Sequence, residues 1–377
     1  MTQRKLRVAI IGTRGVPARY GGFETLAAEL SERLAARGHS VDVYCRRGRV
    51  NPGPPPPGVK QRFVPMLPTK HLETISHTAF SVVSAARRRY DAILMVNAAN
   101  AILAGFPRLF GTPVVLNVDG IERNRSKWGR AGRAWYLVGE RLATILPNEI
   151  ISDAAVISAY YQDRYHARST MIPYGSTILE RMPPPDLSEY GLQPGEYLLY
   201  VSRLEPENNA FLVIDAYRDV PGDVPLVIVG DAPYATAYKN KLVELAARDS
   251  RVRMLGAIYG DGYRDLQRAA LAYIQATEVG GTHPALIEAM GAGNVVLAMS
   301  TPENREVTAG TALLFSDRAS LAEAMARVLG PDRDSLGKLA VAAREHAMKV
   351  YTWDAVTDAY EELLTRLARK DRKSGAS

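Results

Sequence analysis

The chain has 377 residues, 47% of them hydrophobic and 23% charged, which is typical of a water-soluble globular protein, and its length predicts two domains of roughly 150–200 residues each. No apolar run reaches the ~18 residues that a membrane-spanning helix needs, and the single cysteine, Cys45, excludes an intrachain disulfide and fits a reducing compartment. The net charge of +7 indicates an anionic partner, for which nucleic acid, an anionic membrane and phosphorylated ligands are the alternatives.

The first half of the sequence alternates apolar, strand-like runs with helical patterns. Its predicted strands are apolar throughout and cover Leu6–Ile11, Ser40–Cys45, Asp91–Val96, Pro113–Val118 and Ala154–Ser158. A helix is predicted over Gly22–Gly38 from the spacing of its leucines. The proline-rich run Asn51–Gly58 is predicted to be a surface loop. Apolar strands separated by helices are typical of a parallel sheet that is covered on both faces.

The second half repeats this scheme. Its predicted strands cover Tyr197–Ser202, Pro225–Gly230, Val252–Gly256, Leu271–Ala276 and Asn294–Met299. Between the halves, Glu180–Glu196 is rich in Pro and Gly and is predicted to be a linker. The predicted fold class is therefore α/β, with two Rossmann-like, doubly wound parallel-sheet domains facing a cleft. Residues 1–178 form the first domain, residues 179–352 the second, and residues 371–377 a basic tail.

Ligands of open parallel sheets bind beyond the carboxyl ends of the strands, so the residues that follow strands are the candidates for a site. The first such segment, Gly12–Glu24, contains the pair Gly21/Gly22, which permits close approach of the backbone. Amides at the start of the following helix suit a phosphate, and Arg14 and Arg19 add cations. A glycine turn that binds no ligand is the alternative, and the dinucleotide fingerprint G-x-G-x-x-G is not met.

Two further segments place charged side chains after strands. Asp119 and Glu122 follow an apolar strand, where a carboxylate either orients an acceptor hydroxyl or acts as a base. A helix-capping role is the alternative for Asp119. Arg203 follows the first strand of the second half and offers a fork of donors to a diphosphate, with an ordinary surface arginine as the alternative.

The fourth segment, Glu278–Gly293, ends a strand and starts a helix with Pro284 near its first position. The amides of Gly280–His283 are expected to bind an anion. Glu288 lies about one turn into the helix, where a carboxylate suits the hydroxyls of a ribose better than a phosphate. The segment therefore predicts a site for a nucleotide that bears a sugar, with Glu278 near that sugar.

These segments together resemble the retaining GT-B glycosyltransferases of family 4, and within that family the bacterial rhamnosyltransferase-type branch of capsule and cell-wall polysaccharide synthesis. The matching pieces are "GTRGVPARYGGFE", "NVDGIERNRSKWG", "VSRLEPENN" and "EVGGTHPALIEAM", in order from Gly12 to Met290. The resemblance implies a nucleoside-diphosphate sugar as donor, a lipid-linked saccharide or polysaccharide as acceptor, no cofactor, no obligatory metal and no nucleic-acid partner. It also implies that the last helix, residues 353–370, packs back on the N-terminal, acceptor-side domain.

The resemblance assigns roles to individual residues. Those implied to bind the donor are Gly21, Gly22, Arg203, Asn208, Gly280, Gly281, Thr282, His283 and Glu288. Those implied to lie on the acceptor side are Glu24, Asp119 and Glu122. Catalysis is expected from Arg203, Glu278 and Asp119: Arg203 neutralises the diphosphate, and Glu278 holds the hydroxyls of the transferred sugar.

The chain departs from the family pattern at three positions. Asn208 stands where relatives have a lysine, five residues after the arginine, so another cation must compensate. Glu278 and Glu288 are ten apart rather than eight, which displaces Glu278 relative to its counterparts. Asp119 stands nearest to the place where many relatives carry a histidine.

The function expected from the resemblance is retaining, metal-independent hexosyl transfer, with rhamnose as the candidate sugar. The enzyme is expected to be cytoplasmic and peripheral at the anionic inner face of the plasma membrane. The basic aromatic run Glu122–Tyr136 and the basic end Arg366–Lys373 are the candidates for membrane contact, with a solvated surface as the alternative. A nucleotide-sugar 2-epimerase of the same fold, an NAD(P)-dependent oxidoreductase and a non-catalytic sensor are the alternative functions.

Overall fold

The computed structural model describes residues 4–18, 21–50, 53–69, 72–125, 128–177, 184–232 and 235–374. The chain divides into two compact units. The N-terminal unit comprises Met1–Gly175 and Trp353–Ser377, and the C-terminal unit comprises Ser176–Thr352. Each unit contains a parallel sheet with helices between its strands. The prediction of two doubly wound α/β domains is therefore confirmed.

Among the described residues, the sheet of the N-terminal unit has seven strands. They are β1 (Arg7–Ile11), β2 (Ser40–Arg46), β3 (Val59–Val64), β4 (Ala92–Val96), β5 (Val114–Asn117), β6 (Glu149–Ser152) and β7 (Thr170–Met171). Their order is β3-β2-β1-β4-β5-β6-β7, and all neighbours are parallel. The order reverses between β1 and β4, which is where a crevice opens at the carboxyl ends of the strands.

The sheet of the C-terminal unit has six strands among the described residues. They are β8 (Leu198–Val201), β9 (Leu226–Val229), β10 (Val252–Gly256), β11 (Ala272–Gln275), β12 (Val295–Met299) and β13 (Leu313–Phe315). Their order is β10-β9-β8-β11-β12-β13, again all parallel. The corresponding reversal lies between β8 and β11.

Helices connect these strands. In chain order they are α1 (Gly22–Ala36), α2 (Glu73–Ala86), α3 (Gly105–Arg108), α4 (Arg130–Ala143), α5 (Ala155–Tyr165), α6 (Ala210–Tyr217), α7 (Thr236–Ala246), α8 (Gly260–Arg268), α9 (Pro284–Ala292), α10 (Pro302–Thr308), α11 (Arg318–Leu329), α12 (Arg333–Val350) and α13 (Trp353–Ser374). Short 3-10 helices cover Ala98–Leu103, Glu122–Asn124, Ser188–Tyr190 and Pro206–Asn208. In the described parts of the chain, no helix has both the length and the apolar character to cross a bilayer.

The final helix α13 packs within the N-terminal unit. The imidazole Nδ1 of His39 accepts from the N–H of Leu6 at 3.0 Å, so its Nε2 donates to Glu361, 2.8 Å away. Glu361 is also 2.7 Å from the guanidinium of Arg37. A Cβ on Gly175 would come within 2.5 Å of the Trp353 ring, so this glycine permits the start of α13 to lie against the chain. The helix runs to Ser374, four residues into the segment expected to be a tail.

One predicted strand is wrong. Residues Ala154–Ser158 do not form a strand, because β6 lies earlier, at Glu149–Ser152, and α5 starts at Ala155. The buried residues of α5 are Ile157 and Tyr161, four apart, which is helical spacing. A short apolar run such as AAVIS does not by itself separate a strand from a buried helix.

The described part of the predicted linker is folded onto the C-terminal unit. Leu187 and Leu192 are both buried, and a 3-10 helix lies between them at Ser188–Tyr190. The segment therefore contributes to the core of that unit, and its Pro and Gly content reflects turns rather than a free connection. The described residues 53–58 of the proline-rich run form a loop between β2 and β3, as expected.

Candidate active site

The carboxyl edge of the N-terminal sheet carries polar residues after three strands. Asn97 directly follows β4, Asp119 lies two residues after β5, and Asp153 directly follows β6, while the residue after β1 is Gly12. Gly12 has φ +107°, and a Cβ there would come within 2.7 Å of the carbonyl oxygen of Val96. Glycine is therefore required for β1 to turn past the end of β4, at the point where the strand order reverses.

Asp119 is the central carboxyl group of this edge. Its backbone is left-handed, with φ +56°, and its N–H donates to Asn117 Oδ1 at 3.0 Å. Burial raises the pKa of the Asp119 carboxyl, while a hydrogen bond with the side chain of Asp153 and the charge of Arg125 act in the opposite direction. Asp153 is fully buried. The two carboxyl groups form a pair in which Asp119 holds a proton more tightly than an exposed aspartate does.

Tyrosines surround this carboxyl pair. Asn117 Nδ2 donates to the phenol oxygen of Tyr360 in α13 at 2.8 Å. Burial raises the pKa of Tyr174, and the charges of Asp119, Asp153 and Glu24 add to that rise. Tyr174 therefore stays protonated beside the carboxylates and remains a hydrogen-bond donor. The charges of Glu24 and Asp119, both predicted for the acceptor side, thus act on the same phenol.

The other acceptor-side carboxylates are held by neighbouring groups. Glu24 is buried, and its Oε1 accepts from the N–H of Arg14 at 2.8 Å, which fixes the loop after β1. Glu122 forms an ion pair with the buried Arg125. Gly21 is the N-cap residue of α1, with an extended backbone and no side chain of its own to cap the helix. Arg19, the second cation predicted for this loop, lies outside the described residues.

The carboxyl edge of the C-terminal sheet begins with Arg203, two residues after β8. Its guanidinium is half-buried and lies 3.6 Å from Glu205. Asn208 is buried, and its Nδ2 donates to the carbonyl oxygen of Arg203 at 2.7 Å. The Asn208 carbonyl accepts in turn from the Tyr200 phenol at 2.6 Å. Asn208 therefore fixes the backbone of Arg203, and a direct contact with the donor stays a prediction for it.

Glu278 is joined to the same segment. It is exposed, and its Oε1 accepts from Asn209 Nδ2 at 2.9 Å. Its N–H donates to the carbonyl oxygen of Glu207 at 3.1 Å. The loop after β8 and the turn after β11 are thus joined by hydrogen bonds. The predicted segments that contain Arg203 and Glu278 therefore lie next to each other. That Glu278 reaches the donor sugar stays a prediction.

The turn before α9 is built on close packing. A Cβ on Gly280 would come within 2.3 Å of the His283 ring, so a larger residue there would require the imidazole to move. Gly281 and Thr282 are buried. His283 is the N-cap residue of α9 and makes no side-chain capping hydrogen bond, and Pro284 occupies the first turn. This helix end has the dipole and the backbone geometry that favour an anion.

Glu288 lies in the second turn of α9 and is half-buried. Its carboxylate accepts from the Tyr263 phenol in α8 at 2.5 Å. Burial, followed by the charge of Glu288, raises the pKa of Tyr263, so the phenol stays a donor. Tyr263 orients one carboxylate oxygen, and a carboxylate has further acceptor capacity for vicinal hydroxyls. Sequence reasoning missed Tyr263, because nothing in the run around it marks a partner 25 residues away.

Two family models match the chain. The model described as "Glycosyltransferase Family 4" matches residues 20–175, and the model described as "Glycosyl transferases group 1" matches residues 195–330. Between them they include every site residue discussed above except Gly12, Arg14, Arg19 and Tyr360. Both models describe glycosyl transferases, so the chain is similar to glycosyltransferases over most of each unit. Neither match favours an epimerase or an oxidoreductase.

Similar proteins agree with this assignment. The chain is 26% identical over 197 residues to the O-antigen chain mannosyltransferase B of Escherichia coli, a match that spans 50% of this chain and 51% of that protein. The chain thus spans about half the length of this curated relative. Two solved structures share the GT-B fold. Sucrose-phosphate synthase from Thermosynechococcus elongatus has a TM-score of 0.79 at 20% identity, with 96% of this chain and 99% of that chain covered. HepE of Anabaena, in complex with UDP and glucose, has a TM-score of 0.76 at 17% identity, with 96% and 100% covered.

Proposed function

We propose that this glycosyltransferase moves a sugar from a nucleoside-diphosphate sugar to a hydroxyl of a lipid-linked saccharide or polysaccharide. The donor class is supported by HepE, which was solved with UDP and glucose. The acceptor class is supported by the O-antigen chain mannosyltransferase, which is similar over half its length. The sugar is a hexose, for which rhamnose and mannose are the candidates. Transfer proceeds with retention and needs no metal.

The carboxyl edge of the C-terminal sheet binds the donor in this proposal. The amides before α9 and the guanidinium of Arg203 donate hydrogen bonds to the diphosphate, whose negative charge grows as the glycosidic bond breaks. Preorganised donors of this kind stabilise such developing charge in enzymes. Glu288 accepts from the ribose hydroxyls, and Glu278 accepts from the hydroxyls of the transferred sugar.

The carboxyl edge of the N-terminal sheet orients the acceptor hydroxyl. Asp119 is the group placed for this role, because its left-handed backbone and the hydrogen bond from its N–H to Asn117 fix it at the end of β5. In front-face retention the leaving phosphate oxygen takes the acceptor proton. Asp119 then positions the hydroxyl or relays its proton, and no covalent nucleophile is needed.

The observation that carries the proposal is Glu288, which Tyr263 orients in the second turn of a helix whose N-terminus follows the buried turn Gly280–Thr282. A carboxylate one turn beyond an anion site fits a ligand with both phosphate and hydroxyl groups, which describes a nucleotide sugar. Neither a phosphate alone nor a neutral sugar alone would use both features.

Isothermal titration calorimetry with a panel of UDP-, TDP- and GDP-sugars tests the donor site. The wild-type protein should bind one base class, and Glu288→Gln should weaken that binding by about 10- to 100-fold, the effect of losing hydrogen bonds to a charged group. Glu323→Gln, an exposed acid on α11, is the matched control and should leave the affinity unchanged. Equal affinities of wild type and Glu288→Gln would contradict the ribose role.

Product analysis tests the reaction itself. Incubation with the donor found by calorimetry and a lipid-linked acceptor, in the presence of a chelator, should give a glycoside whose anomeric configuration by NMR matches that of the donor. An inverted product would contradict retention. Loss of activity with chelator and recovery on adding Mg²⁺ would contradict the metal-free reaction.

A further inference from the structure

Large apolar side chains lie on the surface of the N-terminal unit around α3 and α4. Leu109 and Phe110 are 81% and 60% exposed, and the ring of Phe110 lies 5.1 Å from that of Phe106. Val138 and Ile145 are also exposed. We call the surface formed by residues 102–110 and 130–145 the apolar–basic face.

The two parts of this face are joined. Arg108 Nη1 donates to the carbonyl oxygen of Leu146 at 2.5 Å, which ties α3 to the end of α4. A Cβ on Gly139 would come within 2.6 Å of the carbonyl oxygen of Ala98, so α4 packs tightly on the 3-10 helix that precedes α3. The two segments that carry the exposed side chains are therefore neighbours in the N-terminal unit.

Helix α4 presents arginines and apolar side chains on the same side. Its buried side contains Tyr136 and Ala143, whereas Arg130, Val138 and Arg141 are exposed at helical spacing on the opposite side. The run Glu122–Tyr136, which was predicted to contact a membrane, therefore has aromatic residues on both the buried and the exposed side. Tyr136 is buried, and only Trp135 of its aromatic residues is largely exposed.

The exposed charges of this face are all positive. Residues 98–113 contain no carboxylate, and residues 128–147 contain one, Glu140. Glu140 is buried and accepts from the phenols of Tyr160 and Tyr165 at 2.6 and 2.8 Å, and from Arg123 at 3.0 Å. It is therefore turned inward, away from the arginines of the face.

Exposed apolar side chains together with arginines favour one kind of binding partner for this face. A second copy of the chain would bring like charges together, and a protein partner would have to supply both carboxylates and an apolar patch. An anionic bilayer offers phosphates in a plane directly above an apolar layer, so arginine heads remain at the phosphates while apolar side chains enter the acyl boundary. We propose that the apolar–basic face binds the surface of an anionic phospholipid bilayer.

This inference extends the proposed function by naming the surface on which a lipid-linked acceptor would be met, and it is tested without the transfer reaction. The full chain is co-sedimented with vesicles of phosphatidylcholine alone or mixed with phosphatidylglycerol. Wild type should bind the mixed vesicles and lose most of that binding at high ionic strength, because the attraction is screened.

Two double variants separate the two components of the face. Arg130→Glu with Arg141→Glu should weaken binding to mixed vesicles by about 25-fold or more, since each basic residue near an anionic surface contributes about fivefold. Leu109→Ser with Phe110→Ser should weaken binding by about tenfold or more, because apolar burial is lost. The matched controls lie in the C-terminal unit, where Lys241, Arg248, Val243 and Val341 are exposed. Lys241→Glu with Arg248→Glu, and Val243→Ser with Val341→Ser, should change binding by less than about twofold.

Donor affinity by calorimetry and thermal melting accompany each variant. Unchanged donor affinity with lost vesicle binding supports the proposal and separates it from failure of the donor site. The proposal would be overturned if the wild-type protein did not bind phosphatidylglycerol vesicles better than phosphatidylcholine vesicles at low ionic strength. It would also be overturned if the face variants bound mixed vesicles as strongly as wild type. Dimerisation in sedimentation velocity that the face variants abolish, without vesicle binding, would assign the face to a second copy and also overturn it.

Discussion

The two sheets place their polar residues at equivalent edges but build those edges differently. The N-terminal edge, at the reversal between β1 and β4, is a buried cluster of carboxyl and phenol groups fastened by α13. The C-terminal edge, at the reversal between β8 and β11, has a glycine turn, a half-buried arginine and an exposed carboxylate. One topology thus supports two chemistries: side chains that hold protons in one unit, and backbone amides and a cation suited to phosphate in the other.

The largest expected effect comes from the N-terminal edge. Asp119→Asn should lower kcat by about 10²- to 10⁴-fold, the range for groups that position or transfer a proton. If the N-terminal edge acts on the acceptor and only the C-terminal edge binds the donor, the donor affinity measured by calorimetry should stay at the wild-type value. Asp163→Asn, an exposed position on α5, is the matched control. A weakened donor affinity in Asp119→Asn would show that the N-terminal edge also contributes to donor binding.

Arg203 tests the opposite edge. Arg203→Ala should lower kcat on the order of 10²-fold or more, because a cation facing the developing diphosphate charge is lost. Arg203→Lys should recover part of the rate, since it restores the charge without the planar fork of donors. Arg248→Ala, on the exposed surface of the same unit, should keep the wild-type rate. If Arg203→Ala also turns over at that rate, the residue lies outside the reaction.

A smaller effect is expected from the contact between Asn209 and Glu278. Asn209→Ala and Glu278→Ala should each lower kcat by about tenfold, and the double variant should lose little more than Glu278→Ala alone, because Asn209 acts by positioning the Glu278 carboxylate. Steady-state kinetics of the four proteins measures this. Multiplicative losses would show that Asn209 does not act through Glu278.

Much of the fold follows from local sequence. β4 reads AILMV, and every one of its side chains is buried, so its apolar run predicts it directly. β3 reads VKQRFV and lies at a sheet edge, where polar side chains are tolerated and the apolar pattern disappears. β13 has three residues, too few for a periodicity.

The part of the site that lies directly after strands could be predicted from the sequence. Asp119, Arg203 and Glu278 all follow strands, and the rule about carboxyl ends finds them. The residues that orient them come from distant segments. Tyr360 reaches Asn117 across 243 positions of sequence, and Asn209 reaches Glu278 across 69. No local pattern encodes such pairings, because they arise only when helices pack on sheets.

The smallest expected effect is on the pH dependence of folding stability, to which the buried carboxyl group of the N-terminal edge contributes. Burial raises the pKa of Asp119 in the folded protein, so the native state holds this proton more tightly than the unfolded chain does. The resulting stability is present below the ordinary aspartate pKa of about 3.9 and is lost as the pH rises through the raised value. Above that raised value the ionised carboxylate therefore opposes folding.

Asp119→Asn should accordingly raise the melting temperature by more at neutral pH than near pH 4, because the wild-type carboxyl is more fully protonated at the lower pH. Differential scanning calorimetry at the two pH values measures this, with Asp163→Asn as the control for removal of one carboxylate. A gain in stability together with the loss of turnover is expected of a group retained for chemistry despite its cost to the fold. A lowered melting temperature at neutral pH would instead make the Asp119 carboxylate a structural group of the N-terminal edge.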